Sequence, residues 1–214
     1  MARILVACEM SGRVRAAFRA AGHDAWSCDL MESLDGPEFH YQCDIREVLD
    51  KGWDCLIAFP PCTYLSSSGM HWTTRGLRDP QLTEDALAFV KLLMDAPIPF
   101  IAIENPIGCI SSRIRKPDVV VHPWWFGDDA SKSTCLWLKR LPLLMPTKIV
   151  EPRLVEYPKG SGKMKKRWGN QLASGHDKFS PSEDRPIKRA LTFPGVAEQM
   201  AAQWSPVLEA YSRE

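Results

Sequence analysis

One of the seven cysteines in this 214-residue sequence stands apart by its neighbours. Cys62 follows Pro60 and Pro61 at the end of the apolar run Trp53–Phe59. Two prolines stiffen the backbone and fix where the next side chain stands. A thiol held there acts as a covalent nucleophile if its thiolate is stabilised. Taken alone, Pro-Pro-Cys fits equally a turn with an incidental buried cysteine. Other polar residues recur where apolar runs end: Glu9-Met10-Ser11-Gly12, Asp29, Asp44 and Glu104-Asn105-Pro106. Ligands of open parallel sheets bind at the carboxyl ends of strands, so five such ends in succession outline a candidate site. Asp29, closing the second run, suits ribose hydroxyls, and it suits an ordinary turn as well.

The elements that must position these residues alternate between two periods. Arg3–Glu9, Asp24–Asp29, Phe39–Asp44, Trp53–Phe59 and Phe100–Glu104 read as strands. Arg13–Ala21, with Ser11 as its cap, and Arg46–Lys51 read as helices. So does Thr83–Met94, where Leu87, Val90 and Met94 share a face. This alternation predicts an α/β fold with a mostly parallel sheet covered on both faces. Val119–His122 and Thr134–Leu138 add two β-like runs, and Gly195–Tyr211 has helical spacing. Six of the eight tryptophans (53, 124, 125, 137, 168 and 204) are expected to pack rather than stack on bases, most of them lying in strands or the last helix.

Composition limits the function classes. With 27 Lys and Arg against 26 Asp and Glu the net charge is +1, so any polyanion contact must come from a local patch. Such a patch exists in the Pro-, Gly- and Lys-rich stretch from Leu141 to Arg189. Between Lys159 and Arg189 nine basic residues face three acidic ones; a solvated insertion or a phosphate-contacting surface would both look like this. The cysteines are odd in number and none is spaced C-x-x-C, which argues against disulfides and a zinc site. Six are expected as buried free thiols. The histidines lack ligand spacing, so no metal is expected. Neither a membrane span nor a signal peptide is found, and the expected location is the cytoplasm, of a bacterium or a phage-infected host.

These residues resemble the S-adenosylmethionine-dependent cytosine-C5 DNA methyltransferases, whose nucleophile motif is Pro-Cys followed by a Ser- and Gly-containing loop, here Pro60-Pro61-Cys62 with Ser66–Gly69. A Glu-Asn dipeptide ends the family's next strand, as Glu104-Asn105 does. Leu5–Gly12 is similar to the glycine-rich cofactor loop, with Glu9 and Ser11 in place of glycines. Asp29 and Asp44 match acidic cofactor positions after the second and third strands. Lys132–Leu138 stands where the family has an Arg-containing strand, and Thr192–Glu198 is similar to the last motif. The chain also resembles short phage-borne proteins of this kind.

The resemblance implies a doubly wound, Rossmann-like methyltransferase sheet with S-adenosyl-L-methionine as cofactor. Glu9, Met10, Ser11, Gly12, Asp29, Leu30, Asp44, Ile45, Phe59, Pro60 and Thr192 would bind it. Cys62 would add to cytosine C6, Glu104 would hydrogen-bond N3 and the amino group, and Lys132 would supply the basic contact. The implied partner is cytosine-containing DNA, whose target base must be flipped out or single-stranded. Trp72, Arg75 or Arg78 could hold an extruded base. The expected organisation is a catalytic and cofactor-binding part over residues 1–140, a basic insertion over 141–190 and a terminal helix over 191–214 packing back. The insertion is long enough for a basic loop or hairpin but short for a base-reading domain, which predicts little sequence specificity, with Lys163, Lys165, Lys166 and Arg167 on phosphates. The alternatives are the same chemistry on a free cytidine nucleotide or RNA, or a catalytically silent nucleic-acid-binding homologue.

Overall fold

Strands buried on both faces carry unbroken apolar runs, and the central strands here do so. β1 (Arg3–Ala7), β4 (Cys55–Ala58) and β5 (Phe100–Asn105) send alternate side chains to opposite sides. Ile4, Val6, Cys55, Ile57, Phe100 and Ala102 join one core. Leu5, Ala7, Leu56, Ala58, Ile101 and Ile103 join the other. This computed structural model describes residues 1–178, Ile187 and 190–212. Arg185, Lys188 and Arg189 of the basic stretch lie outside the described residues.

With β2 (Asp24–Asp29), β3 (His40–Gln42), β6 (Val119–Val121) and β7 (Thr134–Lys139), the main sheet has the order β3-β2-β1-β4-β5-β7-β6. The first five strands are parallel, and β7 runs antiparallel to both of its neighbours. The sheet is mostly parallel, as the alternation predicts, and doubly wound and Rossmann-like, as the family resemblance implies. The chain leaves β1 in one direction for β2 and β3 and returns on the other side for β4. The strand order therefore reverses between β1 and β4, where such sheets open a ligand crevice at their carboxyl ends.

Helix α1 (Arg13–Ala20) covers the first face through Val14 and Phe18. Helix α2 (Ser67–Thr74) follows the Pro-Pro-Cys turn, and α3 (Gln81–Met94) covers the second face. Leu93 is the buried residue in the last turn of α3, with Met94 only half-buried. A short α4 spans Ile110–Arg113. Helix α5 (Pro194–Tyr211) lies beside α1, burying Met200, Trp204 and Leu208 in the first core.

Two local expectations need correction. Ser11 is not the N-cap of α1, which is Gly12 at φ 70; Ser11 Oγ donates to Glu9 and accepts from Arg13 N at 3.3 Å. The expected helix at Arg46–Lys51 is a single 3-10 turn over Ile45–Glu47, because Asp44 and Glu47 close a capping box around it. Of the loop or hairpin that the basic stretch could form, it forms a hairpin, β8 (Arg153–Glu156) against β9 (Met164–Arg167). Its strands are four residues each, too short for a hydrophobic pattern to register. Among the described residues no helix is long and apolar enough to cross a membrane.

Candidate active site

Cys62 stands in the turn between β4 and α2 and is the one exposed cysteine of the seven, with Cys8 and Cys43 half-buried and the other four buried. The turn is built from its own backbone. The N–H groups of Leu65 and Ser66 donate to the Cys62 carbonyl at 3.1 and 2.9 Å, and the Ser66 hydroxyl caps α2 by accepting from Gly69 N at 3.2 Å. From the neighbouring strand, Asn105 Nδ2 donates to the Pro60 carbonyl at 2.7 Å, with Asn105 only 1% exposed. The Glu-Asn dipeptide is thereby tied to the Pro-Pro-Cys turn.

The two loops continue side by side beyond the strand ends. Ser67 N donates to the Ile107 carbonyl at 3.0 Å and Cys109 N to the Leu65 carbonyl at 2.8 Å. Gly108 permits this approach, since a Cβ there would lie 2.0 Å from the Leu65 oxygen. Arg78 donates to the Thr63 carbonyl at 3.2 Å with its guanidinium over the Tyr64 ring, so it braces this loop. Trp72 on α2 remains 47% exposed.

Two cavities flank the turn. The smaller is lined by Phe59, Glu104, Lys132, Thr134 and Thr192, with Pro123, Ala190, Phe193 and Val196. Burial pushes the Glu104 carboxyl above the ordinary carboxylate range, opposed by the Lys132 charge and by the Thr134 hydroxyl, which donates to Glu104 Oε1. One carboxyl oxygen is thus fixed as an acceptor while burial shifts the group toward holding a proton at higher pH than a free carboxylate would. Lys132 Nζ also lies 6.0 Å from the centroid of the Phe193 ring.

The larger cavity, of about 250 Å³, is lined by Asp29, Leu30, Asp44, Ile45, Arg46, Pro61 and Phe89, with Cys8, Cys28 and Cys43. It combines carboxylates with an aromatic and apolar wall, a donor set that fits a nucleoside. Asp29 Oδ1 accepts from Met31 N at 3.0 Å, and Asp44 is paired with Arg46 at 2.7 Å. Burial raises the Cys8 thiol to about 12, with Asp29 and Asp44 adding to the effect. Phe59 lines one cavity and Pro61 the other, so the segment leading to Cys62 is the partition between them.

Glu9, Met10, Ser11 and Gly12 form the β1–α1 turn and line neither cavity. Glu9 is 4% exposed and burial pushes its carboxyl up, against the Ser11 hydroxyl, the Val14 and Arg13 N–H groups and the Arg15 charge. Arg13 connects this turn to the last motif by donating to the Thr192 carbonyl at 2.7 Å. Lys163, Lys165 and Lys166 are exposed on the hairpin. Arg167 is half-buried, and its guanidinium donates to the carbonyls of Ala173 and Lys166.

Sequence reasoning missed Thr134, Gly108 and the bracing role of Arg78. It noted Asn105 only as part of a dipeptide. Of these, Asn105 alone carried a signal, its place beside Glu104. The other three act through contacts between distant segments. Of the tryptophans, Trp53, Trp137 and Trp204 are core residues, whereas Trp124, Trp125 and Trp168 form a half-buried aromatic cluster with His122.

No protein-family model matches the sequence, and no curated protein matches it. The fold has counterparts among solved structures. One, described as a DNA modification methyltransferase encoded within an E. coli prophage, aligns at a TM-score of 0.50 and 16% identity, over 70% of this chain and 52% of that one. Dnmt2 methyltransferase of S. pombe aligns at 0.44 and 16%, over 64% and 48%. The methyltransferase EhMeth of Entamoeba histolytica aligns at 0.48 and 13%, over 71% and 58%. The chain thus spans about half the length of the structures it matches.

Proposed function

We propose that this chain, which shares the Rossmann-like fold of the prophage methyltransferase, transfers a methyl group to C5 of cytosine in DNA. The observation that carries this reading is the tie from Asn105 to Pro60, which couples an exposed thiol to a strand ending in a buried carboxyl group whose pKa burial raises. Cytosine C5 is a poor nucleophile until a group adds to C6. The Cys62 thiolate forms that bond, and N3 takes a proton from Glu104 as charge builds on the ring. Thr134 keeps the Glu104 carboxyl oriented during the transfer. When bound, S-adenosylmethionine would supply an electrophilic methyl group to C5 of the resulting enamine, its sulfur leaving as the neutral thioether of S-adenosylhomocysteine. Loss of the C5 proton to water, expulsion of the thiolate and return of the N3 proton to Glu104 restore the aromatic ring.

The roles divide along the partition. Asp29, Leu30, Asp44 and Ile45 hold the nucleoside end of the cofactor in the larger cavity, while Phe59 and Pro60 close it toward the base. Glu9, Met10, Ser11 and Gly12 shape the turn beside it, and Thr192 is fixed to that turn through Arg13. Lys132 shares the smaller cavity with Glu104 and balances charge on the bound pyrimidine. Lys163, Lys165 and Lys166 contact phosphates, while Arg167, expected with them, braces the ribbon through the carbonyls of Ala173 and Lys166.

The test is incorporation of tritiated methyl groups from labelled cofactor into DNA. Label is expected with the native chain and absent with Cys62→Ser. DNA carrying 5-fluorocytosine should trap a covalent adduct, because fluorine cannot leave C5 as a proton does. An adduct that persists in Cys62→Ala would remove Cys62 from its role.

A further inference from the structure

The β8–β9 hairpin has two unlike faces. Residues paired directly across a two-stranded ribbon share a face, as do residues two apart. The register pairs Arg153 with Arg167 and Val155 with Lys165 on one side, and Leu154 with Lys166 and Glu156 with Met164 on the other. The first face is held to its own chain: Arg153 donates to the Gln171 carbonyl at 2.8 Å and Arg167 to that of Ala173 at 2.9 Å. On the second face Leu154 is 61% and Met164 54% exposed, with Lys166 exposed between them. Its carboxylate, Glu156, turns into the tip and accepts from Gly162 N at 2.6 Å. Between Arg153 and Arg167 six basic residues face this single acidic one, in a chain whose net charge is +1.

The ribbon is also fixed relative to the smaller cavity. Trp168, which follows β9, stacks on Trp124 at 5.8 Å between ring centroids, and Pro123 beside it lines that cavity. Gly169 N donates to Asp129 at 2.7 Å. Asn170 grips Ser131 from both sides, accepting from its N–H at 2.9 Å and donating to its carbonyl at 3.1 Å. The next residue is Lys132.

We infer that this ribbon enters the major groove of duplex DNA, with Leu154 and Met164 against base edges and the lysines on the flanking phosphates. A two-stranded ribbon fits the major groove of B-form DNA, which is about 12 Å wide. The corresponding groove of A-form RNA is too deep and narrow to be read. Two apolar side chains on so short a face meet thymine methyl groups over one or two base pairs. The inference rests on the reading above for its polynucleotide substrate, and it narrows that substrate to DNA by shape.

Fluorescence anisotropy tests it, using a short labelled DNA duplex, an RNA duplex of the same sequence and a DNA duplex with uracil for thymine, without cofactor. The native chain should bind the DNA duplex at least about 10-fold tighter than the RNA. Replacing Lys163, Lys165 and Lys166 together by Gln should remove that advantage and flatten the log–log salt dependence by about 1 per lysine. The pair Leu154→Ser and Met164→Ser should keep the salt dependence and lose the preference for thymine over uracil. Unchanged thermal melting shows that these exposed substitutions leave the fold intact. Equal binding of both duplexes, or a lysine variant with native affinity and salt slope, would overturn the inference. The methylation assay is separate: a chain that transfers methyl groups but binds both duplexes alike keeps its chemistry and loses the groove-bound ribbon. One that binds as expected and transfers nothing does the reverse.

Discussion

Glu104 is the residue whose chemistry depends most on its surroundings. Its protonated form is the active one in the proposed reaction, so activity should fall as pH rises through its raised pKa. Burial sets that position, and the Thr134 hydroxyl pulls against it. Thr134→Val removes the opposing donor, so the alkaline limb of kcat/KM should move to higher pH; a limb that stays or moves lower would refute this placement. Glu104→Gln, unable to give up a proton, should lose roughly 10²- to 10⁴-fold in kcat. At the other cavity, Asp29→Ala should weaken S-adenosylmethionine binding by roughly 10- to 100-fold in calorimetry, the weight of one or two charge-assisted hydrogen bonds. Both residues were legible from sequence as polar ends of apolar runs. Thr134 was not, because a threonine inside a strand gives no sign of which carboxylate lies across the ladder.

At the scale of elements, the site depends on two loops that run together past the ends of β4 and β5. Their order in the sheet follows from patterns legible in the chain, since both strands are unbroken apolar runs. Their joining rests on atoms no pattern records: the Asn105 amide on Pro60, and the bare Cα of Gly108 against Leu65. Gly108→Ala would put a methyl group 2.0 Å from a backbone oxygen. It should lower stability by about 1–3 kcal/mol, as overpacking does, and should cost more activity than stability. A displacement near 1 Å at the thiol can cost about 10²-fold in rate. Thermal melting and single-turnover kinetics on the same sample separate the two effects. The sequence left the basic stretch open to a loop or a hairpin, because two four-residue strands with polar and apolar side chains mixed on one face carry no period.

Across the whole molecule, His23 joins three distant segments. Its Nδ1 accepts from Ala2 N at 3.2 Å, which leaves Nε2 protonated and facing Ser205 Oγ of α5 at 2.9 Å. Burial holds its pKa below the ordinary 6.5, with the N-terminal charge acting the same way and Glu209 against it. The unfolded chain therefore takes up the proton first as pH drops. The stability contributed by neutral His23 is complete above about 6.5 and is lost from there downward toward the lowered folded value. Melting temperature should decline over that window, and His23→Gln should flatten the decline; an equal slope in the variant would assign it to other groups. The same histidine helps dock α5, whose Trp204 is fully buried and donates to the Pro142 carbonyl at 2.9 Å.

The sequence alone determined the layered sheet and the strand ends where polar residues gather, and it singled out Cys62 among the thiols. Those features are local: burial on two faces writes an apolar run, and a proline pair stiffens whatever follows it. The tertiary structure alone decided which ends meet, that a threonine holds the Glu104 carboxyl, and that the basic stretch is a ribbon anchored through Trp168 and Asn170. These depend on contacts between residues far apart in the chain, such as the 45 positions from Pro60 to Asn105. Such a contact leaves no periodic trace, because each partner alone is compatible with many other surroundings.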